Sequence, residues 1–201
     1  MNRFCLRVIS RVVILFSTLL FAGCAVTPPL SSSQPLSREA LEAFALEGRF
    51  SLRQEGKSYS GRLSWRHAGG RDELLLASPF GQGIAEITVN AHAATLTTND
   101  GKTYSATDVQ MLTEQVLGYG LPLGLLTDWV RGYSALARFV EHDAHGRLLR
   151  LRHEDWRVDY DYDNDDPLAL PGRLFAERLG VFELRLRIDE WTRLPPREAT
   201  P

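Results

Sequence analysis

Alternation of apolar and polar residues with a period of two dominates the sequence and limits the folds that it can adopt. Residues 46–53 and 59–66 place an apolar or small side chain at every second position, with Glu, Arg or Ser between them. This period is typical of a β-strand with one buried and one solvated face. Nine further short segments are strand candidates, at 73–77, 83–89, 93–98, 102–105, 138–141, 147–153, 156–162, 174–179 and 182–190.

The connections between these segments carry residues that favour tight turns. Asn99, Asp100 and Gly101 form one such connection, and Gly146 and Gly180 mark two others. Asn, Asp and Gly tolerate the backbone angles of hairpin turns. Eleven short strands joined in this way predict an antiparallel meander and not a parallel α/β sheet.

Two helical segments interrupt the strand series between its sixth and seventh members. Residues 107–118 have apolar side chains at helical spacing, and residues 123–131 form a second helical stretch that ends at Gly132. A meander of this length has to close, or its open edges and its apolar face have to be covered. We therefore predict a mainly β fold, a half-open antiparallel barrel of about eleven strands with a helical lid.

The first 23 residues have the pattern of a lipoprotein signal peptide. Three arginines precede an apolar run at 12–21, and the small pair Ala22 and Gly23 precedes Cys24. The run is shorter than the roughly 18 apolar residues needed to span hydrocarbon. A cleavable signal is therefore favoured over a transmembrane anchor.

Residues 20–24 resemble the lipobox of bacterial lipoproteins, in which the Cys is acylated and becomes the first residue of the mature chain. Since Cys5 leaves with the signal, Cys24 is the one Cys of the exported chain and cannot form an internal disulfide. Two or more acyl chains hold a protein stably on a membrane. Ala25 and Val26 stand where an Asp would favour the inner membrane, so we expect anchoring through Cys24 at the periplasmic face of the outer membrane.

The chain is predicted to consist of three segments. Residues 1–23 are the signal peptide, and residues 24–36, with three prolines and three serines, are the acylated Cys and a flexible tether. Residues 37–201 form a single domain, whose length suits one compact unit. Within it, a short helix is predicted at 38–44 with Ser37 as its N-cap.

Charge and motifs exclude several classes of function. Removal of the leader lowers the number of basic residues from 23 to 20, against 25 acidic residues, so a nucleic-acid partner is not expected. No Gly-x-Ser-x-Gly elbow, Walker loop or dinucleotide fingerprint occurs, and no His or Asp pattern completes a metal site. The sequence favours binding or transport over catalysis, and no cofactor is expected.

The late strands have unusually bulky apolar faces, which have two interpretations. One is a filled β core, and the other is a partly hollow barrel that receives an acyl chain. In the second interpretation, the cavity would be lined by Phe50, Leu63, Trp65, Trp156, Tyr160, Phe182, Leu184 and Leu186.

The turn between the third and fourth strand candidates contains one large apolar residue. Pro79 and Gly81 flank Phe80, which would therefore stand at the tip of the turn. Phe80 could fold back and pack, because isolated apolar residues are ordinary at protein surfaces. Alternatively, the loop of Pro79, Phe80 and Gly81 projects into a membrane.

Several short motifs, in their order and spacing, together resemble the LolB family of outer-membrane lipoprotein receptors. They are the lipobox, Gly-Arg-Phe-Ser at 48–51, Gly-Arg-Leu-Ser-Trp at 61–65, Ser-Pro-Phe-Gly at 78–81, and the helix end at 121–132. The resemblance implies a half-open barrel of eleven strands under a helical lid. In the family, the turn that corresponds to Phe80 carries an exposed apolar side chain, usually Leu, that acts in membrane insertion.

The same resemblance implies a function and a set of partners. A member of this family takes lipoproteins from the periplasmic carrier LolA, holds their acyl chains in an apolar cavity and inserts them into outer-membrane lipid. We expect a monomer. The alternative is a periplasm-facing lipid-binding or structural envelope lipoprotein without a LolA partner.

Overall fold

The computed structural model describes residues 41–118, 120–134 and 136–195. This part of the chain contains eleven strands and two helices. In chain order they are β1 (Phe44–Gln54), β2 (Lys57–Ala68), β3 (Arg71–Ala77), β4 (Gly83–Val89), β5 (Ala94–Thr98), β6 (Thr103–Ala106), α1 (Val109–Leu117), α2 (Leu123–Val130), β7 (Phe139–His142), β8 (Leu148–His153), β9 (Trp156–Asp161), β10 (Arg173–Arg178) and β11 (Phe182–Arg193). Neither helix is long and apolar enough to cross a membrane.

All eleven strands belong to one antiparallel sheet. Their order is β6-β5-β4-β3-β2-β1-β11-β10-β9-β8-β7, so the pairing of β1 with β11 joins the two halves of the chain. The strands β6 and β7 are the two edges and do not pair with each other, which leaves the sheet unclosed. The predicted antiparallel meander with an open edge is confirmed.

Antiparallel order places several hairpin turns at the same end of the sheet. The β1–β2, β3–β4, β5–β6, β8–β9 and β10–β11 turns all lie at the end toward which β1 runs. We call this end, formed by residues 55–56, 78–82, 99–102, 154–155 and 179–181, the hairpin end. The start of β1 and the long β9–β10 connection lie at the opposite end.

The predicted short helix at 38–44 is wrong in its described part. None of its described residues is helical, and Phe44 instead begins β1. The Phe44 ring is fully buried and contacts the rings of Trp65, His67 and Trp191. Since these partners come from the neighbouring strands β2 and β11, packing within the sheet overrides the local helical spacing.

The two helices form where the apolar spacing predicts them. α1 begins after Asp108, whose carboxylate accepts a hydrogen bond of 2.8 Å from the backbone N–H of Met111. It ends at Gly118, which has a φ of 86° and so adopts the left-handed conformation that favours glycine.

Both helices pack on the sheet. α1 contacts β5 and β6, close to one edge. α2 places Trp129 against His153 and Trp156, at the junction of β8 and β9 near the other edge. The pair therefore covers the apolar side of the sheet from both edges, as the prediction of a lid requires.

Ion pairs support the β1–β11 junction on the outer face of the sheet. Arg49 donates two hydrogen bonds, of 2.8 and 3.0 Å, to the carboxylate of Asp189. The hydrogen bond from Arg49 has the largest effect on the pKa of Asp189 and lowers it below its usual value. Because both side chains are largely exposed, solvent screens the pair, and we assign it a minor part in stability.

Candidate functional site

An apolar cavity of about 570 Å³ lies between the sheet and the helical pair. Side chains of β1 to β5 and of β11 form its walls, and α1, α2 and the segment that joins them form its roof. Its volume lies within the range of about 300–1,000 Å³ that is typical of ligand pockets. Most of the lining is Leu, Ile, Val, Ala or aromatic, and its polar members are Ser58, Ser60, Thr98 and Thr113, so the cavity suits an apolar ligand.

The exposure of the lining residues shows where the cavity opens. Four of them are directly opposite one another across β2 to β5 and form the floor, with exposed fractions of 2–9%: Trp65, Leu74, Ile87 and Leu96. Toward the hairpin end, Tyr59 is 52% exposed and Ile84 is 40% exposed. The cavity is therefore closed at its floor and open at the hairpin end.

The roof places one buried hydroxyl, that of Thr113, on the cavity lining, and backbone groups use it fully. Thr113 in α1 donates to the carbonyl oxygens of Val109 and Gln110, at 2.9 and 3.0 Å. Its oxygen also accepts a hydrogen bond of 2.8 Å from the N–H of Leu121, in the connection to α2. This side chain therefore ties the α1–α2 connection to α1, and its own hydroxyl is not free to face the cavity.

Six of the eight residues predicted to line a cavity lie on its wall: Phe50, Leu63, Trp65, Phe182, Leu184 and Leu186. Phe50, Leu184 and Leu186 are neighbours because β1 pairs with β11. This pairing joins strands more than 120 residues apart, and it places the late apolar face beside the early one.

Trp156 and Tyr160 do not line the cavity. The Trp156 ring lies 5.8 Å from the Trp129 ring of α2 and 5.7 Å from the Phe182 ring, so it is packed between a helix and the sheet. Tyr160 is buried, and burial raises the pKa of its hydroxyl well above the usual value. Because α2 covers their part of the sheet, these two side chains belong to a filled core.

Part of the wall was not anticipated from the sequence. Leu74, Leu76, Ile87 and Leu96 lie on strands that were correctly predicted. For Ile87 and Leu96 the period of two was the signal that could have identified them, whereas Leu74 and Leu76 belong to a continuous run of three leucines. The roof residue Leu121 had no such signal, because it lies outside both helices.

The β3–β4 turn holds Phe80 away from the core. The N–H of Gly81 donates to the carbonyl of Ser78 at 2.9 Å, and the N–H of Ser78 donates to the carbonyl of Gln82 at 2.7 Å. Gly81 has a φ of 88°, which favours glycine at this position. Phe80 is 95% exposed, so it does not fold back against the sheet.

Two further predictions concern the lipid anchor and a metal site. Cys24 and the tether at 24–36 lie outside the described residues. Within the described ranges, no group of three or more His, Cys, Asp or Glu residues could hold a metal ion.

Comparison with known proteins identifies the family. A family model described as "Outer membrane lipoprotein LolB" matches residues 42–191. The chain belongs to the LolB family. The "Outer-membrane lipoprotein LolB" of Dechloromonas aromatica is 40% identical over 92% of this chain and 98% of its own length. The protein with this name from Thiobacillus denitrificans is 36% identical over 86% of this chain and 92% of its own length.

Among solved structures, a LolA superfamily protein from Nitrosomonas europaea matches 79% of this chain and 89% of its own chain, with 9% identity and a TM-score of 0.44. Membership of the LolB family rests on the sequence matches. It makes this chain an outer-membrane lipoprotein with a role in lipoprotein localisation.

Proposed function

We propose that this protein accepts lipoproteins from the carrier LolA, holds their acyl chains in the apolar cavity and inserts them into the outer membrane. The observation that carries the proposal is the cavity itself, apolar on its floor and walls and open at the hairpin end beside Phe80. On this basis we assign six lining residues to acyl-chain contact: Phe50, Leu63, Trp65, Phe182, Leu184 and Leu186.

The physical chemistry of the cargo requires such a cavity. Each methylene group that leaves an apolar environment for water costs about 0.8 kcal/mol. For the tens of methylenes in a lipoprotein anchor, exposure would cost on the order of 30 kcal/mol. The chains therefore have to pass directly from the cavity of the carrier to the cavity of the receptor.

Differences in affinity drive this transfer in the proposal. The receptor holds the acyl chains more tightly than the carrier does, and the bilayer holds them more tightly than the receptor. The difference in binding free energy between two sites sets how the cargo is distributed between them. Each difference of about 1.4 kcal/mol changes the ratio of cargo at the two sites about tenfold.

Phe80 is assigned to the membrane step. It stands on a tight turn at the hairpin end, where the cavity opens, and almost its whole side chain is available to lipid. Burial of a side chain of this size contributes about 1.5–3 kcal/mol. That is enough to favour membrane contact by about tenfold or more, without an effect on a handover in water.

The proposed anchor at Cys24 permits this orientation. The β1 strand has 11 residues and is about 35 Å long, and its start lies opposite the hairpin end. Residues 25–40, which precede the described part of the chain, can span at most about 55 Å. The chain between anchor and strand is therefore long enough for the hairpin end to turn toward the membrane that holds the anchor.

A transfer assay tests the proposal. Purified LolA loaded with a radiolabelled lipoprotein is mixed with the mature chain carrying Cys24→Ala, and the label bound to each protein is measured after separation. Liposomes are then added, and the label that sediments with them is counted. We expect stoichiometric transfer to the receptor, followed by delivery to the liposomes.

The same assay separates the alternative functions. A lipid-binding protein without a LolA partner would bind a free acylated peptide but take no cargo from the carrier. A structural envelope lipoprotein would bind neither. Either result would contradict the proposal.

A further inference from the structure

A second apolar side chain protrudes at the hairpin end, on the β10–β11 turn. Leu179 is 84% exposed, and the neighbouring Val181 is 38% exposed. Gly180 between them has a φ of 74°, and the N–H of Val181 donates to the carbonyl of Arg178 at 3.0 Å, so the turn is tight. This turn has no part in the cavity wall, so the cavity does not account for an exposed Leu at its tip.

The turns that carry Leu179 and Phe80 lie on either side of the cavity mouth. In the sheet order β4-β3-β2-β1-β11-β10, four strand spacings separate them, or about 19 Å along the sheet. Tyr59 of β2 and Phe182 of β11, which both line the cavity, lie on strands between the two turns. An acyl chain that leaves the mouth therefore emerges between two apolar tips.

Four of the charged side chains at the hairpin end form two ion pairs. Arg178, adjacent to Leu179, lies 3.4 Å from Asp155 on the β8–β9 turn. Lys102 lies 2.7 Å from Asp100 on the β5–β6 turn. Since a paired charge is less costly to bring toward an apolar phase than a lone one, this arrangement suits close approach to a lipid surface.

We propose that Leu179 is a second membrane contact, which acts with Phe80 to hold the cavity mouth against the outer membrane at two points. A bilayer is the occupant that fits, because both tips are convex single side chains, and family membership places the chain at a membrane. One contact leaves the protein free to rotate in every direction about it, whereas two contacts leave only rotation about the line that joins them and so restrict the direction in which the mouth faces. This inference rests on the proposed function and adds an orientation to its delivery step.

Site-specific fluorescence measures the contact directly. The mature chain with Cys24→Ala has no cysteine, so Phe80→Cys, Leu179→Cys and Leu168→Cys each carry a single environment-sensitive label. Leu168 is the matched control, since it is an exposed Leu in the β9–β10 connection at the opposite end of the sheet. Each protein is mixed with phosphatidylethanolamine–phosphatidylglycerol vesicles, with and without lipids that carry a quencher.

We expect quenching at positions 80 and 179 and none at position 168. Quenching at 80 alone would overturn the second contact and leave the proposed function intact. The absence of quenching at both 80 and 179 would overturn the second contact together with the proposed membrane role of Phe80. Equal quenching at all three positions would indicate non-specific adsorption and would also overturn the inference.

Delivery provides an independent test. Leu179→Glu is expected to slow the release of cargo into liposomes by about tenfold, because the variant loses one apolar side chain from its contact with the membrane. Leu168→Glu should deliver at the wild-type rate, and Leu179→Phe should retain delivery. If Leu179→Glu, with an unchanged circular dichroism spectrum, delivers as fast as the wild type, Leu179 has no membrane role.

Discussion

Phe80 and Leu186 are both apolar side chains of the proposed machinery, but they have opposite environments. Phe80 is almost fully exposed on a turn, and Leu186 is buried on the cavity wall. A side chain that contacts only lipid affects delivery, and one that contacts only cargo affects acceptance. Substitution of each residue is therefore expected to block a different step.

Phe80→Glu is predicted to accept lipoprotein normally and to fail in delivery. The charged side chain cannot enter the membrane interface, while the cavity and its mouth keep their shape because Phe80 contacts neither the floor nor the walls. Transfer from LolA and release into liposomes are measured separately. Phe80→Leu is the control and should preserve both steps, and equal loss of acceptance and delivery in Phe80→Glu would assign Phe80 to the cavity.

Leu186→Glu is predicted to weaken acyl binding by about 2–5 kcal/mol, because it places an unpaired charge on the wall of an apolar cavity. Binding of a fluorescent acylated peptide measures the effect. Leu186→Met, which keeps the volume and the apolar character, should bind nearly as well as the wild type.

Folding has to be checked before the Leu186 result is interpreted. The same charge could unfold the sheet, so the circular dichroism spectrum of Leu186→Glu must match that of the wild type. A folded Leu186→Glu protein with normal affinity for the acylated peptide would remove Leu186 from the proposed binding site.

At the level of secondary-structure elements, the lid depends on the hydrogen bonds of one threonine. Thr113→Val keeps the shape of the side chain but leaves the N–H of Leu121 without its buried acceptor. We expect a loss of about 1–3 kcal/mol in the free energy of unfolding. Urea denaturation measures this loss, and Thr113→Ser, which keeps the hydroxyl, should lose less; an unchanged stability in Thr113→Val would show that the bond is not needed.

The β1–β11 junction depends on a close approach of two backbones. A Cβ atom at Gly48 would lie 2.3 Å from the carbonyl oxygen of Arg187, at the point where the register of the two strands shifts. Gly48→Ala is therefore predicted to destabilise the protein by about 1–3 kcal/mol. Gly83→Ala is the control within a strand, since nothing lies within 4 Å of its Cβ position, and thermal unfolding of the two variants should differ clearly.

At the level of the whole molecule, the inner side of the sheet is divided into a filled part and a hollow part. α2 packs Trp129 against Trp156 over β8 and β9, whereas β1 to β5 and β11 face the cavity. The filled part gives the unclosed sheet a core that does not depend on cargo. In the proposed function, the hollow part accepts and releases acyl chains while this core holds the fold.

Cys24→Ala, exported through a cleavable signal, is predicted to accept lipoprotein from LolA at a normal level. The described cavity residues begin at Phe50, far along the chain from the proposed anchor, so we expect the anchor to be needed mainly for location. Transfer in solution measures acceptance, and cell fractionation measures location. A soluble, folded Cys24→Ala protein that binds no lipoprotein would contradict this prediction.

Local sequence determined most of the elements of this fold. All eleven segments predicted as strands are strands, and in β1 and β2 the period of two specified them, because a strand with one buried face needs an apolar side chain at every second position. Helical spacing and the turn residues specified α1, α2 and the hairpins in the same way. Among the described residues, the incorrect prediction is the end of the helix at 41–44, where Phe44 packs against Trp65 and Trp191 of the neighbouring strands.

Only the tertiary structure decided which apolar side chains face a cavity and which fill a core. Trp156 and Phe182 lie on similar alternating strands, yet one is packed beneath α2 and the other lies on the cavity wall. The alternation of apolar and polar residues predicts that a side chain points inward, but it does not predict what lies opposite that side chain. What lies opposite depends on where the helices pack on the sheet, and contacts between residues far apart in the chain set that position. The exposure of Phe80 was likewise decided only by the tertiary structure.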